Sequence, residues 1–386
     1  MRVYLDNAAT TPLDKEVLEA MLPYMTEHFG NPSSIHGHGS KVRAGIEHSR
    51  KKIATLLNTS PSEIFFTSGG TESDNTAIRS AISTYKLTHA ISSPIEHHAV
   101  EHTLADLAKN GTIKLSFVKL DEKGNVDLDH LRELLATHPR SLVSLMHANN
   151  EIGNLLDIET VGNLCEEFDA YFHSDTVQTV GHFPINLQKI KVHSINGAAH
   201  KFHGPKGIGF IYIKNEAKIQ PLITGGAQER NMRGGTENVY GIIGLAKALE
   251  IACREMEEHK NHILSLKAYM IDRLKDTFQD IRFNGESANL EKSLYTVLNV
   301  SFPPSSDNDM ILFNLDIHKI SASGGSACSS GSDVGSHVLK AIKADPNRAN
   351  VRFSFSKYNT KEEIDYVVEK LAEIYNLSNV AALQNK

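Results

Sequence analysis

The chain has 386 residues, 40% of them hydrophobic and 22% charged, an ordinary globular composition with enough apolar material for a sizeable core. Its 46 acidic and 40 basic residues give a net charge of −6, mixed along the chain, so no basic face for direct nucleic-acid binding is expected. No run approaches 18 uninterrupted apolar residues, no targeting leader opens the chain, and three cysteines without CxxC spacing make no disulfide framework; a cytoplasmic protein with no membrane contact is expected.

Helix-like and strand-like patterns alternate, as in an α/β fold. Residues 14–28 put Val17, Leu18, Met21, Leu22 and Met25 on one helical face, with Pro23 expected to kink it. Residues 63–67 (EIFFT) read as a short buried strand. It runs into Ser68-Gly69-Gly70-Thr71 and a helix from Glu72, where Thr71 and Asp74 have the form of a capping box. The apolar runs 141–146, 170–173 and 208–213 suit strands buried on both faces of a parallel sheet. Residues 239–256 form a long helical pattern. Beyond about residue 260 the texture changes: a charged helix (263–278), a strand (296–302), a helical stretch (309–315) and a Ser/Gly-rich loop around Cys328. A helix from Asp333, a strand (351–355) and a closing helix with Thr360 and Glu363 as its capping box complete the chain. The expected organisation is a large α/β domain (15–260) with a mostly parallel central sheet flanked by helices. A smaller α+β domain (261–386) follows, with an N-terminal segment (1–14) packed against it.

Four features carry possible chemistry. Glycines after a strand let backbone N–H groups approach an anion at a helix N-terminus, so Ser68 to Thr71 is a candidate anion turn. It fits neither a P-loop nor GxGxxG, and alone it is better explained as an ordinary tight turn. Lys201 follows a strand-like segment between histidines and is a candidate Schiff-base lysine, against the plainer reading of a solvated surface lysine. Asp175, in SDTVQ with Gln178, stands after a strand where open α/β sheets bind ligands; a turn-capping acid is the alternative. Cys328 lies in GGSACSSG, a loop expected to be exposed and mobile, which suits a thiol that travels. Cys165 and Cys253, in helical patterns, suit burial instead. The 20 histidines include His98 and His102, four apart, but no HExxH and no closed acid–histidine set, so no metal site is expected.

Ten segments, taken together and in order, resemble the cysteine desulfurases of the class V aminotransferase family. They are YLDNAATTP (4–12), FGNPSS (29–34), FTSGGTESDN (66–75), EHHAV (96–100) and HANNEIG (147–153), then HSDTVQ (173–178), AHKFHGPKGIG (199–209), RGGTEN (233–238), GGSACSSGS (324–332) and RFS (352–354). Any one is weak; ten in order are specific. The resemblance implies a fold-type I transferase dependent on pyridoxal 5'-phosphate (PLP). Such an enzyme is expected to be a homodimer that makes alanine and a protein-bound persulfide from L-cysteine. By that resemblance Lys201 would anchor PLP covalently and Asp175 would pair with its ring nitrogen. Gln178 would bond the ring oxygen, and His97 would stack on the ring and move protons. Gly70, Thr71 and His200 would hold the phosphate, with Thr236 reaching in from the second subunit. Asn150 and Arg352 would meet the substrate, Arg352 as a bidentate clamp on its carboxylate. Cys328 would take the sulfur and pass it to an acceptor or iron–sulfur scaffold protein. Two departures stand out: Ala198 where the family usually has a Ser or Thr phosphate ligand, and SSGSDVGSHVL after Cys328 where Leu-Glu-Pro is common. The alternatives are a selenocysteine lyase or another class V PLP enzyme, and a catalytically silent sulfur-carrier or scaffold protein. The set Lys201, Asp175, His97 and Cys328 argues against the silent reading, because a binding module needs none of it.

Overall fold

The structure is a computed structural model and describes residues 1–305, 308–324 and 335–377. Cys328 and the helix start expected at Asp333 lie outside the described residues.

The chain opens with β1 (Val3–Tyr4), α1 (Lys15–Thr26), α2 (Gly37–Leu56), β2 (Ile64–Thr67) and α3 (Gly70–Tyr85). Next come β3 (His89–Ser92), α4 (His98–Lys109), β4 (Lys114–Phe117), α5 (Leu128–Thr137) and β5 (Leu142–Ser144). Then follow α6 (Ile158–Glu167), β6 (Tyr171–Ser174), β7 (Ser194–Ala198), β8 (Gly209–Ile213) and α7 (Val239–Arg254). The rest is α8 (Met256–Thr277), β9 (Arg282–Phe283), β10 (Val297–Ser301), α9 (Ile311–Ile317), β11 (Ile320–Ser321), α10 (His337–Ala341), β12 (Asn350–Ser354) and α11 (Lys361–Ile374).

Seven strands form one sheet in the order β2-β8-β7-β6-β5-β3-β4. Only β8 runs against its neighbours; the other pairings are parallel. Side chains alternate between two apolar clusters with the period of a strand: Val143, Phe172 and Phe210 enter one, Leu142, Tyr171 and Ile211 the other. Each face is therefore covered, which is why these strands read as unbroken apolar runs. β7 does not read that way, yet all five of its residues are buried.

Around a third cluster the C-terminal residues build a small antiparallel sheet, β12-β10-β9. β1 pairs in parallel with β11, and Val3 and Leu5 are buried in that same third cluster. The first cluster has its last helical member at Ala252, and the third takes Ile263 onward. Between them α7 and α8 are separated by the single residue Glu255. The expected gap from 257 to 262 is thus helical; its charged residues carry no apolar stripe that sequence periodicity could detect.

α1 runs through Pro23 to Thr26, and only Val17 and Met21 of its expected face are buried. Leu18, Leu22 and Met25 are exposed. The capping box at Thr360 and Glu363 is formed, with each side chain meeting the other's backbone N–H.

Burial pushes six histidines, His147, His173, His182, His193, His200 and His203, down to about 4. In the unfolded chain each takes its proton near pH ~6.5. The unfolded state therefore binds more protons between about pH 4 and pH 6.5, so stability is full above that window and lost as pH falls through it. The urea midpoint is expected to drop clearly between pH 7 and pH 5. An unchanged midpoint over that interval would contradict the burial of these rings.

Candidate active site

Because β2, β3, β5, β6 and β7 point the same way, their carboxyl ends share one edge of the sheet, where open α/β folds place ligands. The segments leaving those ends carry Gly70 and Thr71, His97, Asn150, Asp175 and Gln178, and His200 and Lys201, respectively. All of these line one cavity, together with Arg352 from β12. Two residues expected from the sequence are not among its lining. Thr236 lines a separate cavity with Arg233 and Asn238. Cys328 lies outside the described residues.

Lys201 ends the turn after β7, and its Nζ donates to the carbonyls of Ala8 (2.6 Å) and Ala9 (2.9 Å). Gln178 Nε2 donates to the same Ala8 carbonyl at 3.1 Å. Thr11 binds the His200 carbonyl through both its N–H and its hydroxyl, each at 2.9 Å. The N-terminal segment is thus tied around the lysine by its backbone, a function invisible in its side-chain pattern.

Asp175 follows β6, and its Oδ1 accepts from the Val177 N–H at 2.9 Å. A second carboxyl, Asp74, stands close by: acid and ring atoms of Asp74, His97 and Asp175 all lie within 4.8 Å of one another. Thr71 and Asp74 have the form of a capping box in the sequence, but no such box forms. The helix instead begins at Gly70 behind Gly69, whose φ of +155° favours glycine, and no side chain caps its first turn. Asp74 lies one turn further in. Its Oδ1 accepts from Asn196 Nδ2 at 2.6 Å and meets His173 Nε2 at 3.1 Å. His173 Nδ1 in turn meets Ser194 Oγ at 3.0 Å. Burial first, then the nearby Asp175 and Glu96, push the Asp74 carboxyl well above the usual carboxylate range. Burial thus favours its protonated form. The signal for this was present: Asp74 shares the buried stripe of α3 with Ala77, Ile78 and Ala81, where a cap residue has no place.

Replacing Asp74 with alanine strands two buried partners, at a cost of about 2–3 kcal/mol. Asparagine keeps an oxygen at that place, which can accept from both Asn196 Nδ2 and a His173 Nε2–H, so Asp74→Asn is expected to lose less than half as much. Urea unfolding of both variants measures this; equal losses would mean that Asp74 acts as an ionised acceptor.

His97 is the N-cap of α4, and its Nδ1 accepts from the Ala99 N–H at 3.1 Å. That bond assigns the proton to Nε2. Burial, with help from Lys201, lowers its pKa against the pull of Asp175, so the ring is neutral at pH 7.

Arg352 is 1% exposed. Its Nη2 pairs with Asp6 at 2.8 Å and its Nη1 donates to the Asn150 carbonyl at 3.1 Å. Its Nε is buried with no partner. The Asp6 pair was not foreseen; it occupies part of the guanidinium that was expected to clamp a substrate. The unpartnered N–H is the group a bound carboxylate would satisfy.

The model of the family described as Aminotransferase class-V matches residues 3–367. The chain belongs to the class-V aminotransferase family. Two class-V relatives are both described as cysteine desulfurase IscS. The one from Dictyoglomus turgidum is 45% identical over 96% of this chain and 94% of its own length. The one from Methanosarcina thermophila is 43% identical over 100% of this chain and 95% of its own. Among solved structures, a NifS-like protein superposes with a TM-score of 0.89 at 39% identity, covering 97% of this chain and all of that one. SspA in complex with cysteine gives 0.80 at 30% identity and covers 93% of this chain. The mostly parallel seven-stranded sheet with a small antiparallel sheet is thus the class-V fold expected from the motifs. Among the described residues no helix is long and apolar enough to cross a membrane.

Proposed function

We infer that the chain is a cysteine desulfurase, taking sulfur from L-cysteine and leaving L-alanine. One observation carries the reading: an amine, a buried carboxylate, a neutral imidazole and a guanidinium with a free N–H line a single cavity. Near full-length identity to the two named desulfurases supports it.

The residues present fit PLP. The first turn of α3 has no side-chain cap and opens on glycines, as a phosphate needs. A Cβ at Gly70 would come within 2.8 Å of Val177 Cγ2 and crowd that cradle. Ala198 lines the cavity without a hydroxyl, so Gly70, Thr71 and His200, with Thr236 of a second subunit, would carry the phosphate. When bound, PLP supplies an electron sink for bond breaking at the substrate carbons. Lys201 Nζ would hold it and is the amine placed to take the substrate α-proton. Asp175 serves the ring nitrogen and Gln178 the ring oxygen. His97 would face the ring and would move a proton at its Nε2. Asn150 and Arg352 orient the substrate, Arg352 through its carboxylate.

Cys328 receives the sulfur. Its thiolate attacks the substrate Sγ, an S–S bond forms, and the carbon–sulfur electron pair stays with the substrate carbon, which is then protonated. An unperturbed thiol is only a few per cent thiolate at pH 7, so the attack needs a nearby proton acceptor. The persulfide then passes to an acceptor or iron–sulfur scaffold protein. We propose a homodimer, supported by the apolar side chains Leu22, Met25, Phe29 and Ile35 that the N-terminal region leaves exposed. We also propose the division into 1–14, 15–260 and 261–386, supported by the way the apolar clusters separate.

The test is incubation of the PLP-loaded chain with L-cysteine and a thiol reductant. Alanine and sulfide are expected in equal amounts; no alanine above a cofactor-only control would sink the reading.

A further inference from the structure

Just outside the cavity, the start of α4 meets the start of α10. His98, Glu101 and His102 come from α4 and His337 from α10. His98 Nδ1 lies 2.9 Å from Glu101 Oε2, and His337 Nε2 lies 3.7 Å from the same oxygen. One ligand atom from each of His98, Glu101 and His337 falls within 4.8 Å of the others. The His98 ring sits against His102 on one side, at 4.7 Å between centroids, and against His337 at 4.5 Å. The three side chains are 22–32% exposed, open to a solvent ion yet held by their neighbours. His337 Nε2 also meets the Glu96 carbonyl at 2.8 Å, while its Nδ1 is buried with no partner.

We propose that His98, Glu101 and His337 form a binding site for a borderline divalent cation of the Zn2+ type, separate from the catalytic cavity. Two imidazoles and one carboxylate are the donor set that Zn2+ takes, whereas Mg2+ and Ca2+ prefer oxygen alone. Tetrahedral bonds of about 2.0–2.1 Å put ligand atoms roughly 3.3 Å apart. The observed 2.9 Å and 3.7 Å straddle that spacing; for Nε2 to ligate, His337 gives up its bond to the Glu96 carbonyl and carries its proton on the unpartnered Nδ1 instead. His102 Nε2, 4.0 Å from the same Glu101 oxygen, stands at the rim, leaving the fourth position to water. His97, at the catalytic cavity, immediately precedes His98, and His337 stands nine residues beyond Cys328. A bound cation therefore ties the helix that His97 caps to the helix that follows the thiol segment.

The test uses the PLP-loaded Cys328→Ala protein, which removes the competing thiol. It is dialysed against Zn2+, and its metal content and melting temperature are compared with a chelated sample. One retained Zn2+ per chain and a higher melting temperature are expected. His98→Ala and His337→Ala, each in that background, should lose both effects. Glu101→Gln should weaken binding by more than the roughly 10–100-fold that losing a supporting partner costs. His102→Ala should keep the metal. Circular dichroism of each chelated variant checks folding, and His337→Gln replaces any alanine variant that fails. Absence of retained Zn2+ overturns the proposal. So does retention undiminished in the His98→Ala/His337→Ala double variant, or loss in His102→Ala with retention in His337→Ala, which would mark a site on α4 alone.

Discussion

Replacing Lys201 with alanine is expected to lower L-cysteine turnover by on the order of 10³-fold or more and to let PLP wash out of the protein. The variant loses both the anchoring amine and the group that takes the α-proton, so binding and chemistry fail together. The Ala8 and Ala9 carbonyls that now receive this amine hold it in place, on a turn fixed by β7. A rival amine exists. Lys267, fully buried in α8, is pushed down to about 7 by burial, so much of it is neutral at physiological pH, the state an anchoring amine needs. Its Nζ is committed to Ser293 Oγ at 2.8 Å and the Leu294 carbonyl at 3.1 Å, and it does not line the cavity. Borohydride reduction of the loaded wild-type protein, followed by peptide mapping, separates the two. The cofactor mass is expected on the peptide carrying Lys201. Its appearance on the Lys267 peptide, or turnover within tenfold of wild type in Lys201→Ala, would reject the assignment.

The chain announced its sheet well where strands are buried on both faces, because Phe65, Val143, Phe172 and Ile211 have no polar side to hide. It announced β7 poorly. Ser194-Ile195-Asn196-Gly197-Ala198 is as buried as any strand, but its polar members are spent on His173, Asp74 and Thr176 rather than on water. The same holds at the site. Residues that name a chemistry, such as Lys201 and Asp175, stand out by type and by position after a strand. Residues that act through tertiary partners do not: Asp6 is legible only beside Arg352, and Ala8 and Ala9 matter through carbonyls that every residue has. The capping-box pattern of Thr71 and Asp74 misleads because a buried network claims the carboxyl. The proposed cation site is hard to read from the sequence for a related reason. His98 and His102 share a helix, yet His337, the third member of the proposed set, comes from a distant one.

Cys328→Ala is expected to leave PLP binding unchanged while alanine formation from L-cysteine falls to background. The other two thiols cannot take over. Burial raises the thiol of Cys165 far above its ordinary value and that of Cys253 to about 11. A thiol of pKa 11 is about one part in 10⁴ thiolate at pH 7, against a few per cent for an unperturbed one. Position excludes them as firmly: Cys165 packs inside the first apolar cluster, Cys253 lines a cavity with Leu56 and Phe183, and neither lines the site. Wild-type protein given L-cysteine without reductant should gain the mass of one sulfur atom on the peptide containing Cys328. The variant should gain none while keeping the visible absorption of the bound cofactor, which separates loss of the acceptor from loss of the fold. If alanine formation persisted within tenfold of wild type, the sulfur would have another route out of the substrate. The chain would then be a lyase that releases sulfide directly, with Cys328 a bystander to its chemistry.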